Sequence, residues 1–184
     1  MSFRNRKHNR LSDYDYSQNG MYFVTICTKN LGNVFGEIVN GRMILNNIGK
    51  IANEFWTEIP VHFSNIDLDE CVVMPDHIHG IIEIKNNPNV GTAHVRSDNK
   101  NRTKMLLSRA IHGFKSSVTR KILYPTQERI YAFPTKFAWQ KSFYDHIVRN
   151  EIELNKIREY IFKNPQNWGK DNENIFYDFA EKSE

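Results

Sequence analysis

The stretch Val72-Val73-Met74-Pro75-Asp76-His77-Ile78-His79-Gly80-Ile81-Ile82 decides how the chain is read. Residues 66–74 predict a strand that ends in the apolar stretch 71–74. Pro75-Asp76 interrupts it, and residues 77–84 predict the next strand, antiparallel to its predecessor. Side chains alternate along a strand, so His77 and His79 share one face. Ile78, Gly80, Ile82 and Ile84 take the other face, which must be core. Gly80 lets another element approach closely. Two imidazoles two residues apart on a strand have backbones about 6–7 Å apart, and both can reach one metal ion. The same spacing also describes two polar residues on an exposed sheet face, so by itself it leaves both readings open.

Upstream, MYFVTICT at 21–28 is β-branched and aromatic and predicts a strand. Gly32 and Gly36 mark turns. Residues 38–45 predict a second strand, broken by the turn signal Asn40-Gly41. Asn46 or Asn47 can cap a helix running to about Ile59, where Pro60 stops it. Downstream, residues 85–103 have no hydrophobic period and read as a long loop, of the kind that tends to be functional. Leu106, Leu107, Ala110, Ile111, Phe114 and Val118 recur at helical spacing and predict a helix over 104–121. The aromatic stretch 129–140 predicts a further strand. A last helix is expected over 150–164, capped by Asn150, with Glu151 and Glu153 at the positive end of its dipole and Pro165 ending it.

This order predicts an α+β fold. An antiparallel sheet of ferredoxin-like or RNA-recognition-motif-like topology carries helices mostly on one face. One domain covers residues 1–184, with 1–19 as a basic arm bearing Tyr14 and Tyr16, and a tail from about 170 to 184.

The 184 residues, 40% hydrophobic and 25% charged, suit a soluble globular chain long enough to bury a core. The net charge of +4 is mild, but its distribution is lopsided. Arg4, Arg6, Lys7 and Arg10 lie in a stretch without acids. Residues 85–121 hold nine cations, Arg102, Lys104, Arg109 and Lys115 among them, against the single acid Asp98. Such a stretch reads as a phosphate-binding surface, or as a solvated loop followed by an ordinary basic helix face. Cys27 and Cys71 sit in apolar segments without a CxxC neighbour, as buried reduced thiols of a cytoplasmic protein. No signal peptide is visible, and no apolar run approaches the roughly 20 residues of a membrane helix.

The segment Met74-Pro75-Asp76-His77-Ile78-His79-Gly80 resembles the HUH motif of single-tyrosine insertion-sequence transposases, and more specifically the REP-associated tyrosine transposases. A second block carries the same resemblance: Trp139-Gln140, Phe143-Tyr144-Asp145-His146, Tyr160-Ile161 and Asn164-Pro165. It extends from about residue 20 to 170. The resemblance implies the HUH nuclease fold and a metal-dependent single-stranded DNA endonuclease and strand transferase. It implies that Tyr160 attacks a DNA phosphate, becomes joined to the 5′ side of the break and frees a 3′-hydroxyl. It places the metal ligands at His77, His79 and Asn164, with Asn164 standing where several relatives have Gln. The implied cofactor is Mg²⁺ or Mn²⁺, and the implied partner is single-stranded or hairpin DNA, bound by a monomer or homodimer.

Elementary chemistry fits that placement. Tyr160 and Asn164 are i and i+4 and share one helix face. Leu154, Ile157 and Ile161 can pack the helix on the sheet. A phenol, with a pKa near 10, needs help to act as a nucleophile. Each assignment has a rival. Tyr144, beside Asp145 and His146, competes as the nucleophile. Asp76 either orients a histidine or is a turn residue, and Glu83 shares the histidine face. Trp139, Trp168, Phe133 and Phe137 either stack on bases or pack the core. Two further readings of the whole chain remain: a DNA-binding module of the same fold without chemistry, and a hydrolase acting through metal-activated water.

Overall fold

A computed structural model describes residue 14 and residues 16–29, 32–85, 105–124 and 137–169. Strand β1 is Gly20–Cys27. A hairpin of β2 (Gly36–Val39) and β3 (Arg42–Leu45) precedes α1 (Asn47–Thr57) and the short α2 (Ile59–His62). Strands β4 (Ile66–Val73) and β5 (His77–Ile84), helix α3 (Leu106–Leu123), strand β6 (Tyr144–Val148) and helix α4 (Glu151–Asn167) follow.

Four strands make one antiparallel sheet in the order β4-β5-β1-β6. The path from β1 to β4 runs through α1, and that from β5 to β6 through α3, each skipping one strand. This is the split βαβ arrangement of ferredoxin-like domains. The middle residues of the central strands β1 and β5 are buried on both faces because helices cover both. On one face Tyr22, Val24, Ile26, Ile78, Ile82 and Ile84 pack with Trp56 of α1 and Leu107, Ala110, Ile111, Phe114 and Val118 of α3. On the other, Phe23 and Ile81 pack with Leu154, Ile157 and Ile161 of α4. Most helices therefore share one face, as the sequence predicts, and α4 has the other. Gly80 faces α1, where a Cβ would stand 2.3 Å from Trp56 Cζ2; no side chain fits without displacing the indole.

Several expected boundaries move. Residues 36–45 form two strands, because Asn40 (φ 51) and Gly41 (φ 72) take the positive-φ pair of a tight hairpin turn. Asn46 caps α1, its Oδ1 accepting from Gly49 N at 2.9 Å. Pro60 does more than stop that helix: it lies in the first turn of α2, where its missing N–H has no partner to lose. The strand expected within 129–140 falls largely outside the described residues; there Trp139 makes only an isolated bridge to Thr28. The fourth sheet strand is β6, a short edge strand whose polar Asp145 and His146 hide it from a hydrophobic pattern. Pro165 lies inside α4, which continues to Asn167 although the Ile161 carbonyl loses its donor. The end of the expected arm is fixed: Tyr16 is buried, and Ser17 Oγ accepts from Leu106 N at 3.1 Å at the start of α3. Most of the basic loop expected at 85–103 lies outside the described residues. Cys27 and Cys71 are free and half-buried, and burial pushes each thiol up to about 11. No described helix is long and apolar enough to cross a membrane.

Candidate active site

Alternation along β5 puts His77, His79, Ile81 and Glu83 on the face that α4 covers. The register with β1 sets Thr25 opposite His79 and Cys27 opposite His77. His79 is buried at 3% exposure, with the Phe23 ring stacked on it at 5.4 Å. Its Nδ1 is 2.8 Å from Thr25 Oγ1. His77 Nδ1 is 2.7 Å from Asp76 Oδ1. A carboxylate only accepts, so His77 Nδ1 donates. The two Nε2 atoms face each other at 3.0 Å. Burial, reinforced by the charge of His77, holds His79 well below the ordinary histidine value, so it is neutral near pH 7.

Leu154, Ile157 and Ile161 seat α4 on this face, and the same helix brings Tyr160 over the histidines. Tyr160 Oη is 3.2 Å from His79 Nε2. Burial raises the phenol above its usual value, opposed by a side-chain hydrogen bond from Asn164. Sequence reasoning named His77, His79, Tyr160 and Asn164, and the structure brings all four together.

The donor set fits a divalent cation. Two nitrogen ligands about 2.1 Å from one ion and at right angles to each other are about 3.0 Å apart, the separation seen between the two Nε2 atoms. Both Nδ1 atoms are already anchored, as orienting partners anchor metal-binding imidazoles. Asn164 adds an amide beside the Tyr160 oxygen. Among the described residues no group of three or more His, Cys, Asp or Glu could hold a metal, so an ion here would rest on two imidazoles and an amide.

The remaining candidates lie elsewhere or do other things. Tyr144 is on β6 opposite Thr25, two strands from His79 and 39% exposed. His146 is 2.8 Å from Glu153 Oε1, tying β6 to the start of α4. Glu83, at the far end of β5, pairs with Lys85 at 3.2 Å. Phe137 is core, and Trp139 donates its indole N–H to the Lys115 carbonyl at 3.2 Å. Lys115 Nζ donates to the carbonyls of Gln140 (3.1 Å) and Ser142 (2.9 Å), so it braces the chain before β6. Arg109 is exposed on α3, across the sheet from the histidines. Arg4, Arg6, Lys7, Arg10, Arg102, Lys104 and Phe133 lie outside the described residues. Sequence reasoning missed Thr25 and Phe23, which only strand register places against His79. It also missed Arg158, which grips Asp69 of β4 through Nε (2.9 Å) and Nη2 (2.6 Å) and fastens α4 to the sheet.

An antiparallel α+β sheet with two histidines on one strand lies under a late helix that carries a tyrosine, and this fold is similar to that of a solved tyrosine transposase. The solved structure of a REP-associated tyrosine transposase bound to a REP hairpin matches with a TM-score of 0.55 at 16% identity, over 92% of this chain and 75% of that one. No family model matches the sequence. An uncharacterized protein of Haemophilus influenzae is 36% identical over 172 residues, 90% of this chain and 91% of that protein. The chain belongs to the family of that Haemophilus protein.

Proposed function

We propose that the chain is a metal-dependent single-stranded DNA endonuclease and strand transferase, with Tyr160 as its nucleophile. The observation that carries this reading is the Tyr160 hydroxyl 3.2 Å from His79 Nε2, itself 3.0 Å from His77 Nε2. In this reading residues 1–184 act as one domain, with a basic arm at 1–19 and a tail from about 170. The REP hairpin seen on the solved transposase favours hairpin-forming DNA as the substrate here.

His77, His79 and Asn164 would hold Mg²⁺ or Mn²⁺, which when bound polarises the scissile phosphate and offsets transition-state charge. The Tyr160 oxygen attacks phosphorus and the bond to the 3′ oxygen breaks. The phenolic proton is lost, the freed 3′ oxygen gains one, and the 5′ phosphate stays on Tyr160. The amide of Asn164 donates to the tyrosine oxygen and favours its ionised form. The phosphotyrosine keeps the bond energy, so a 3′-hydroxyl can rejoin it without an outside energy source.

The test is a denaturing gel of the protein incubated with Mn²⁺ or Mg²⁺ and labelled hairpins bearing single-stranded flanks. A covalent adduct that disappears with chelator and in Tyr160→Phe is expected. An adduct that survives Tyr160→Phe moves the nucleophile to another residue, Tyr144 first. Salt-sensitive binding without any adduct overturns the enzyme reading in favour of a binding module.

A further inference from the structure

Tyr160, Asn164 and Trp168 stand at i, i+4 and i+8, so the stripe of α4 that carries the candidate nucleophile ends in an indole. Trp168 is the C-cap of α4 and is 38% exposed. Its ring centroid is 5.8 Å from that of His77, with the planes tilted by 37°. The indole therefore borders the His77 ring while part of its surface faces solvent. The other two tryptophans serve different ends: Trp56 is buried under Gly80, and Trp139 packs with Phe35, Phe114 and Phe137.

A nuclease for unpaired strands must hold the nucleotides beside the phosphate it cuts, without base pairing to do so. Aromatic faces do this for any base, because every base has a π-face. Resting on the nuclease reading above, we propose that Trp168 is a stacking platform for an unpaired base next to the phosphate at Tyr160. Its position beside His77 would set the phosphate over the histidines by holding the neighbouring base. Chemistry of this kind favours occupancy over sequence, so it contributes affinity and register on the strand.

The test compares two DNA hairpins, one with a single-stranded thymidine flank and one with the same flank made abasic. Binding is measured in Mg²⁺ on the full chain carrying Tyr160→Phe, so that cutting does not enter. The chain is expected to prefer the thymidine flank. Adding Trp168→Ala should weaken thymidine binding by about ten-fold or more, down to the abasic level, while Trp168→Phe should keep most of the preference. Binding to the abasic flank should be the same in all three proteins. A preference that persists in Trp168→Ala overturns the proposal. So does an equal loss on both flanks, which would mark Trp168 as a structural cap, and so does the absence of any preference. The adduct assay on the native chain tests the nuclease reading separately. A Trp168-dependent preference without adduct would keep the platform and remove the chemistry, and an adduct without that preference would do the reverse.

Discussion

His77 and His79 are held by different partners, and the difference says what each replacement should do. Asp76 supplies a carboxylate to the more exposed ring, and Thr25 a hydroxyl to the buried one. Both leave Nε2 turned inward, the orientation that a shared cation requires. Thr25→Val keeps the branched shape but takes the hydroxyl away from His79 Nδ1, and Asp76→Ala removes the acceptor that fixes the His77 tautomer. Each is expected to lower Mn²⁺ affinity by about ten-fold or more, read by calorimetry or by the spin resonance of free Mn²⁺. Unchanged affinity with intact circular dichroism would mean that packing, including the Phe23 ring, orients the imidazoles by itself. Asp76 was legible because it adjoins His77 in sequence. Thr25 was not, because its role depends on which residue of β1 pairs with His79, and pairing register is absent from a single sequence. Gly80 was legible as a close approach, and the indole above it makes a prediction. Gly80→Ala should destabilise the fold by about 1–3 kcal/mol in urea unfolding; a smaller loss would mean that Trp56 moves aside at little cost.

The element that matters most is α4, because it carries Tyr160, Asn164 and Trp168 together. Apolar contacts seat it, and the fork from Arg158 to Asp69 ties it to β4. Between Leu68 and Cys71 the strand advances three residues while β5 advances two. This bulge lies beside Asp69 and breaks the regular alternation there. The Arg158 hydrogen bond, helped by the Glu70 N–H and opposed by burial, holds the Asp69 carboxyl below its ordinary 3.8. The unfolded chain therefore binds this proton more readily than the folded one. The contribution is present in full from about pH 5 upward and fades as pH falls through the lower folded value. Asp69→Asn should cost about 1 kcal/mol at pH 7, since the pair is only partly buried. The gap to the native chain should close as unfolding is repeated toward pH 3, and a gap independent of pH would assign the loss to packing. The bulge was invisible in sequence. By contrast, β5 was readable to the residue, because its polar and apolar positions alternate and Pro75-Asp76 marks its start. Strand β6 escaped because an edge strand of five residues buries too little to impose a pattern. Pro165 misled because a proline near a helix end reads as a stop even where the helix tolerates it.

For the whole molecule, the sheet is a partition. The histidines, Tyr160 and Trp168 lie on the α4 side, at the end of β1 marked by Cys27. Helix α3 lies on the other side and begins against Tyr16 and Ser17, near the Gly20 end of β1. Arg109, two residues past Leu107, thus stands on the far face and toward the far end from the candidate nucleophile. A short single strand lying across Tyr160 does not reach it; a bulkier hairpin curving around the molecule can. If Arg109 belongs to the phosphate-binding surface, Arg109→Gln should leave binding of a short unpaired oligonucleotide unchanged. It should weaken binding of the hairpin with its flank and reduce the slope of log affinity against log salt by about one. Salt titrations of both ligands on native and variant chains measure this directly. Equal weakening of both would place the unpaired strand on the α3 face and require a different path for DNA. No change in either would return Arg109 to the ordinary solvated face of a basic helix. The partition gives these outcomes different meanings, because one cation cannot serve both faces of the sheet.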